Sequence, residues 1–82
     1  MVDIESEYKL IKEEKDIVTK VNKLNQLSYD VRYISPSRSF EIAEESRKLS
    51  QQTKNRELEA ISKMNMGFAK FLMSDDFPIL KY

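Results

Sequence analysis

The sequence predicts an all-α protein built from antiparallel helical hairpins, and three observations support this. Apolar residues recur at helical spacing through most of the 82 residues. One Gly and two Pro leave little room for turns, so long helices with short connections are expected. Small side chains mark the stretch 35–54 and bulky apolar ones mark 56–73, a pattern that favours two closely packed antiparallel helices. We therefore expect a long N-terminal helix, two further helices and the start of a fourth.

Residues 3–34 are predicted to form one long helix, or two in series. Two rows of apolar residues repeat every seven positions: Ile4, Ile11 and Val18, and Leu10, Ile17, Leu24 and Val31. Asp3 is the expected N-cap, and the polar residues Asn22 and Asn25 are the candidate break near the middle. The apolar face is longer than two later helices can cover, which favours pairing with a second copy.

The second helix is predicted to begin at Ser35-Pro36 and to end near Lys54. Ser35 is suited to the N-cap, and Pro36 fits the first helical turn. A row of small residues follows, and we expect it to set a close helix approach: Ser39, Ala43, Ser46 and Ser50.

The third helix is predicted over 56–73, after a short link at Asn55. Asn55 can end the preceding helix in left-handed geometry or cap the next one. So short a link makes the two helices antiparallel neighbours. Gly67 costs about 1 kcal/mol in a helix interior, which predicts a close helix contact at that point. The bulky residues expected to form the core or an interface are Met64, Phe68, Phe71 and Leu72.

A fourth helix is predicted to start after the third, with Asp75 or Asp76 as its N-cap and Pro78 in its first turn. The sequence stops within two turns of that start. Our interpretation is a single helical domain, 1–82, that forms the N-terminal part of a larger protein. Within it, 1–20 is the leading helix and 21–82 is a degenerate repeat region.

Several short motifs are shared with a known repeat. Met66-Gly67 is followed by an aromatic stretch, Phe68-Ala69-Lys70-Phe71, and then by Asp76-Phe77; upstream lie Leu27-Ser28 and the small residues Ser39, Ala43 and Ser46 at spacings of four and three. From Leu27 to Phe77 the chain resembles tetratricopeptide repeats, although Lys63 stands where that family has Trp. The resemblance implies a helical-hairpin fold. It also implies a place at the N-terminus of a bacterial signalling protein, ahead of a histidine kinase, diguanylate cyclase or adenylate cyclase domain.

The residue types present offer little to catalysis. The sequence has no His and no Cys, which removes the usual general base, most metal sites and the thiol nucleophile. A single Gly excludes a Gly-rich phosphate loop. The pair Asp75-Asp76 is better explained as a helix cap than as a cation site. We therefore predict no enzyme activity, no cofactor and no metal.

Charge and hydropathy limit the partners. Fourteen basic and fourteen acidic residues are interspersed without a basic face, which argues against nucleic acid. No apolar run approaches the length of a membrane span and no signal peptide is recognisable, so we predict a cytoplasmic protein that does not bind membranes.

The predicted function is protein–protein interaction and self-association within a bacterial regulatory or signal-transduction protein. The partner would be another protein, a second copy in a homodimer, or both. The residues predicted to carry these contacts are Ser39, Ala43, Ser46, Met64, Gly67, Phe68, Phe71 and Leu72. Two alternatives stay open: a stand-alone coiled-coil or four-helix-bundle dimer with a structural role, and a nucleic-acid-binding helical domain.

Overall fold

The computed structural model describes residues 3–74, and the secondary structure in that range is entirely helical. The all-α prediction is therefore confirmed. The helix expected to follow Asp75 and Pro78 lies outside the described residues. The four helices are α1 (Ile4–Lys12), α2 (Ile17–Asp30), α3 (Pro36–Thr53) and α4 (Arg56–Met73).

A side-chain cap starts each helix. Asp3 accepts from the backbone N–H of Ser6, and Ser35 accepts from that of Arg38. Asn55 accepts from two backbone N–H groups of the first turn of α4, so it caps the next helix. The left-handed residue at the end of α3 is Lys54, with φ 59°. The predicted bounds of α3 and α4 are confirmed to within a residue.

Of the two alternatives predicted for 3–34, one continuous helix is wrong and two successive helices are found, because the chain turns back between Lys12 and Ile17. The fourth cap, Asp16, accepts from the backbone N–H of Thr19 at 2.9 Å and from its hydroxyl at 2.7 Å. Asn22 and Asn25, the candidate break, lie inside α2. The reversal of the chain brings Ile11 into an apolar cluster. A seven-residue repeat does not predict this burial, because the partners of Ile11 lie far along the chain. The other members of the cluster are Leu24, Leu27, Val31 and Ile42.

The helices pack side by side in the order of the chain, with additional contacts between α2 and α4. The hairpins α2–α3 and α3–α4 are antiparallel, so α2 and α4 run in the same direction. The helix α1 is antiparallel to α2 and parallel to α3, because its successive residues meet successive turns of α3. Glu5 bonds to Arg38 near the start of α3, and Lys12 bonds to Glu45 about two turns later.

Where α2, α3 and α4 meet, the core is polar, and we call this group the polar seam: Asn25, Ser46, Ser62 and Asn65. The hydroxyls of Ser46 and Ser62 lie 2.6 and 2.8 Å from the side-chain oxygen of Asn25, which accepts from them. The amide of Asn65 donates to the Asn25 backbone carbonyl at 3.1 Å. All four residues are buried, and no buried side-chain N or O atom in residues 3–74 lacks a partner.

A second polar contact joins α2 to α3 nearer the start of α3. The hydroxyl of Ser39 donates to the backbone carbonyl of Ser28 at 2.7 Å, and the two hydroxyls lie 3.1 Å apart. This hydrogen bond and the contact between the two hydroxyls require the backbones of α2 and α3 to be close, which only small side chains allow. The predicted small row is indeed buried: Ser39, Ala43, Ser46 and Ser50.

The surface that α4 buries is not the bulky one that we expected. Its buried residues are Leu58, Ser62, Asn65 and Ala69, so small residues of α3 meet small residues of α4. The bulky residues Met64, Phe68 and Phe71 are exposed, and Leu72 is half-buried. The core role predicted for the first three is therefore wrong for the described chain, and the interface alternative remains a prediction.

The expected close contact at Gly67 is also not found among residues 3–74. Gly67 is exposed, and a Cβ built on it would meet no atom within 4 Å. Its backbone is helical, with no positive φ to favour glycine. Nothing in the described chain requires glycine at this position.

Replacement of Asn25 by Ala is expected to lower the free energy of unfolding by about 2–3 kcal/mol, because two buried hydroxyls lose their common acceptor. Chemical denaturation followed by circular dichroism measures this. The matched control is Asn22→Ala, an exposed asparagine on the same helix, where we expect a change within about 0.5 kcal/mol. Equal effects of the two substitutions would show that the polar seam does not hold the helices.

Replacement of Gly67 by Ala is expected to raise the free energy of unfolding by about 0.5–1 kcal/mol, since the methyl group enters open space and restricts the unfolded chain. Thermal unfolding should show a midpoint higher by a few degrees. The reverse change at an exposed position of the same helix, Ala60→Gly, should lower the midpoint by a similar amount. A loss of stability in Gly67→Ala would restore the close contact that the sequence predicted.

Candidate interaction surface

Two properties of residues 3–74 limit the kinds of site that they contain. Among residues 3–74 no group of three or more His, Cys, Asp or Glu side chains is placed to hold a metal ion. Within the same range no helix has both the length and the apolar character needed to cross a bilayer. What distinguishes the surface is a concentration of large apolar side chains.

We call this surface the α2/α4 face: Tyr29, Tyr33, Ile61, Met64, Phe68 and Phe71. The four α4 residues follow one another at spacings of three and four, which places them on one side of the helix. They lie beside the buried row of α4 and are 39–63% exposed. Tyr29, which is 48% exposed, faces Ile61 and Met64 across a groove whose floor is formed by Asn25 and Asn65.

The two sides of the face touch where α2 ends. The rings of Tyr33 and Phe68 meet edge to face, with their centroids 5.9 Å apart and an angle of 89° between the planes. This is a favoured arrangement for aromatic pairs. It ties the turn after α2 to the middle of α4, so the apolar side chains form one continuous surface.

Arg32 lies among these rings. Its guanidinium carbon is 3.6 Å from the ring centre of Tyr29, 4.7 Å from that of Tyr33 and 5.5 Å from that of Phe68. It also donates to the backbone carbonyl of Tyr29. The ion pairs within residues 3–74 involve other cations, so the positive charge of Arg32 is held in place by aromatic rings with no carboxylate beside it.

The apolar area of the α2/α4 face can be estimated from its six side chains. Aromatic side chains present roughly 150–250 Å² each, so six large and about half-exposed side chains present on the order of 600 Å². This equals the upper end of the largest apolar patch on an ordinary monomer. It also approaches the roughly 800 Å² that each partner buries in a stable complex.

A second feature of the surface is the charged contact that fastens α1 to α3. The guanidinium of Arg38 donates to both carboxylate oxygens of Glu5, at 2.8 and 3.1 Å, and lies 4.6 Å from the ring centre of Tyr8. Tyr8 and Lys12 both donate to Glu45. Hydrogen bonds from Arg38 lower the pKa of Glu5. Burial opposes the charge of Glu45, but the donors Lys12 and Tyr8 outweigh it and lower the pKa of that carboxyl.

The structure divides the predicted contact residues between two places. Ser39, Ala43 and Ser46 lie in the core, whereas Met64, Phe68 and Phe71 lie together on the α2/α4 face. The sequence predictions did not include the two tyrosines of that face, Tyr29 and Tyr33, or Arg32 beside them. A usable signal was present, because an arginine between two tyrosines four positions apart is an unusual composition for a solvated surface.

The chain matches no protein-family model, no curated protein and no solved structure. The resemblance to tetratricopeptide repeats therefore stays a prediction from the sequence.

Low pH is expected to weaken the charged contact between α1 and α3. Folding lowers the pKa of Glu5 and Glu45. The contribution of their charged forms to folding stability is therefore complete above the ordinary pKa range of carboxyl groups, and it is lost as the pH falls through the lowered pKa values. We expect the thermal midpoint to fall between about pH 5 and pH 3. Circular dichroism melts at several pH values measure this.

The pH dependence should be shallower in Glu45→Gln, which has lost one of the titrating groups. Glu44→Gln, at the neighbouring position on α3, serves as the control and should keep the wild-type slope. Identical slopes for all three proteins would show that the charged contact does not hold α1.

Proposed function

We propose that the chain is a protein-association module whose α2/α4 face binds an amphipathic helix of a partner protein. The observation that carries the proposal is the exposed row of α4 residues beside a fixed arginine. Aromatic residues, Met and Arg are the types enriched at protein interfaces. Large exposed apolar patches on soluble proteins mark such interfaces.

The shape of the α2/α4 face favours a helix as the bound element. The helices α2 and α4 run in the same direction with a shallow groove between them, and a third helix can pack along such a groove at an axial distance of 8–10 Å. The row from Ile61 to Phe71 spans about 15 Å at 1.5 Å per residue, or close to three turns. A partner helix would match it with apolar residues at positions i, i+3 or i+4, and i+7.

Arg32 supplies the specificity in this proposal. Its guanidinium is already oriented by three rings and by the Tyr29 carbonyl, so little side-chain freedom is lost when it binds. Charge-assisted bonds between Arg and carboxylates are the stronger kind. The preferred partner helix therefore carries an Asp or Glu at the edge of its apolar side.

The cellular setting forms part of the same proposal. Placement within a bacterial regulatory or signal-transduction protein is supported by the tetratricopeptide resemblance alone. Self-association, the other part of the predicted function, remains a prediction.

The test uses two synthetic amphipathic helices of about five turns, identical except for Glu or Lys at the edge of the apolar side. We expect the Glu peptide to bind at least about fivefold more tightly, as measured by isothermal titration calorimetry. Arg32→Gln should abolish this preference. Phe68→Ala should weaken binding of both peptides by about tenfold, because it removes a central aromatic contact.

The control variant for the peptide test is Leu10→Ala, which truncates an exposed apolar residue of α1 away from the α2/α4 face. It should bind both peptides as the wild type does. Binding that is equally strong in Phe68→Ala, or no binding of either peptide at millimolar concentration, would refute the proposed site.

A further inference from the structure

The groove between α2 and α4 has apolar sides and a polar floor. Tyr29, Ile61 and Met64 line its sides, and the amides of Asn25 and Asn65 form its floor. Its volume is about 290 Å³. Pockets for drug-sized ligands usually measure roughly 300–1,000 Å³, so this groove is better matched to one or two side chains of a bound helix.

The two asparagines of the floor differ in how fully their hydrogen-bonding atoms are used. The side-chain oxygen of Asn25 accepts from the hydroxyls of Ser46 and Ser62, so both of its lone pairs are occupied. The amide of Asn65 donates to the backbone carbonyl of Asn25 at 3.1 Å. Because a carbonyl only accepts, the atom that makes this bond is Nδ2, and the other amide atom is Oδ1. Within residues 3–74 no group donates to the Oδ1 of Asn65.

The Oδ1 of Asn65 reaches solvent through the groove. Every fully buried side-chain N or O atom in residues 3–74 has a hydrogen-bond partner. Asn65 is only 5% exposed, and its Oδ1 has no partner within that range, so this oxygen must be part of the small exposed area. Asn65 lines the groove, and water that satisfies the oxygen enters there.

A helix that covers the α2/α4 face would exclude this water. An entirely apolar helix would then leave the Oδ1 of Asn65 buried without a donor, and an unsatisfied buried acceptor lowers affinity by about tenfold. Such a helix fits the sides of the groove but not its floor. The preferred helix therefore brings a hydrogen-bond donor of its own.

Arg32 restricts the charge of that donor. Its guanidinium carbon lies 3.6 Å from the ring centre of Tyr29, which lines the groove. A second cation brought into the groove would be repelled by Arg32 and would also lose its hydration. A carboxylate is an acceptor and has no proton to donate. The amides of Asn and Gln donate without carrying a charge.

We propose that the partner helix inserts a neutral amide, from Asn or Gln, into the groove, where it donates to the Oδ1 of Asn65. This inference rests on the proposed function and names a second feature of the same partner. Asn65 and Phe68 are three residues apart, about 4.5 Å along α4, and Arg32 lies over the Phe68 ring. The amide of the partner and the carboxylate that pairs with Arg32 are therefore about one helical turn apart.

The test compares Gln with Met in the peptide that carries Glu, at each apolar position one turn from that Glu. Both side chains are unbranched and similar in length, but only Gln donates a hydrogen bond. At one of these positions we expect the Gln peptide to bind about fivefold more tightly than the Met peptide. Isothermal titration calorimetry measures the ratio.

Asn65→Ala removes the acceptor and is expected to abolish the preference for Gln. The matched control is Asn22→Ala, which truncates an exposed asparagine of the same groove and should keep the wild-type ratio. Circular dichroism establishes that each variant is folded. If Asn65→Ala does not fold, the comparison of Gln and Met on the unchanged protein decides alone.

Two results would overturn the inference and leave the proposed site intact. One is a Met peptide that binds at least as tightly as the Gln peptide at every position tested. The other is a preference for Gln that persists in folded Asn65→Ala. Failure of all the peptides to bind would refute the proposed function itself, and the inference with it.

Discussion

The amide of Asn25 is the point on which the packing of three helices depends. Its side-chain oxygen accepts from a serine of α3 and a serine of α4, and its own backbone carbonyl accepts from Asn65. Hydrophobic contacts tolerate sliding, but these bonds exist at one register only. A slip of either neighbouring helix by one turn would leave hydroxyl and amide groups buried without partners, at a cost of about 1–3 kcal/mol for each. The polar seam therefore fixes register more sharply than an apolar core would.

The polar seam also explains why large apolar side chains of α4 lie on the surface. Hydroxyl groups can bridge α3 and α4 only if the two backbones lie close together, so the inward positions must be small. The bulky residues of α4 are then placed beside the contact, and Met64, Phe68 and Phe71 face solvent. The serine and asparagine side chains between the helices and the aromatic side chains on the surface are two results of the same geometry. The α2/α4 face is the second of these results.

The features predicted correctly from the sequence were those fixed by neighbouring residues. Ser35 followed by Pro36, and Asn55 followed by two acidic residues, determine their helix starts through bonds within one turn, so α3 and α4 were located to within a residue. The start of α2 at Asp16 was missed because an acidic residue in a charged run resembles solvated surface. The turn there depends on the burial of Ile11 against residues far along the chain, a contact that helical periodicity does not encode.

The candidate site was only partly predictable, for a related reason. Met64, Phe68 and Phe71 were selected for their size, but size alone does not separate core from surface. That separation required the pairing of Ser46 with Ser62, and two serines among many carry no signal of their own in a single sequence. Gly67 was misjudged in the same way: glycine in a helix suggests a neighbouring backbone, but within residues 3–74 no atom lies within 4 Å of a Cβ built there.

A core rich in hydroxyl and amide groups has a thermal consequence. The heat capacity of unfolding rises with the apolar surface that becomes exposed and falls with the polar surface, averaging about 12–15 cal/mol/K per residue in globular proteins. Because Asn25, Ser46, Ser62 and Asn65 are buried and Phe68 and Met64 are already exposed, we expect the heat capacity of unfolding of this chain to lie below that average. A smaller heat capacity flattens the dependence of folding free energy on temperature. The domain is thus suited to holding a modest stability nearly constant through cold and warm conditions alike.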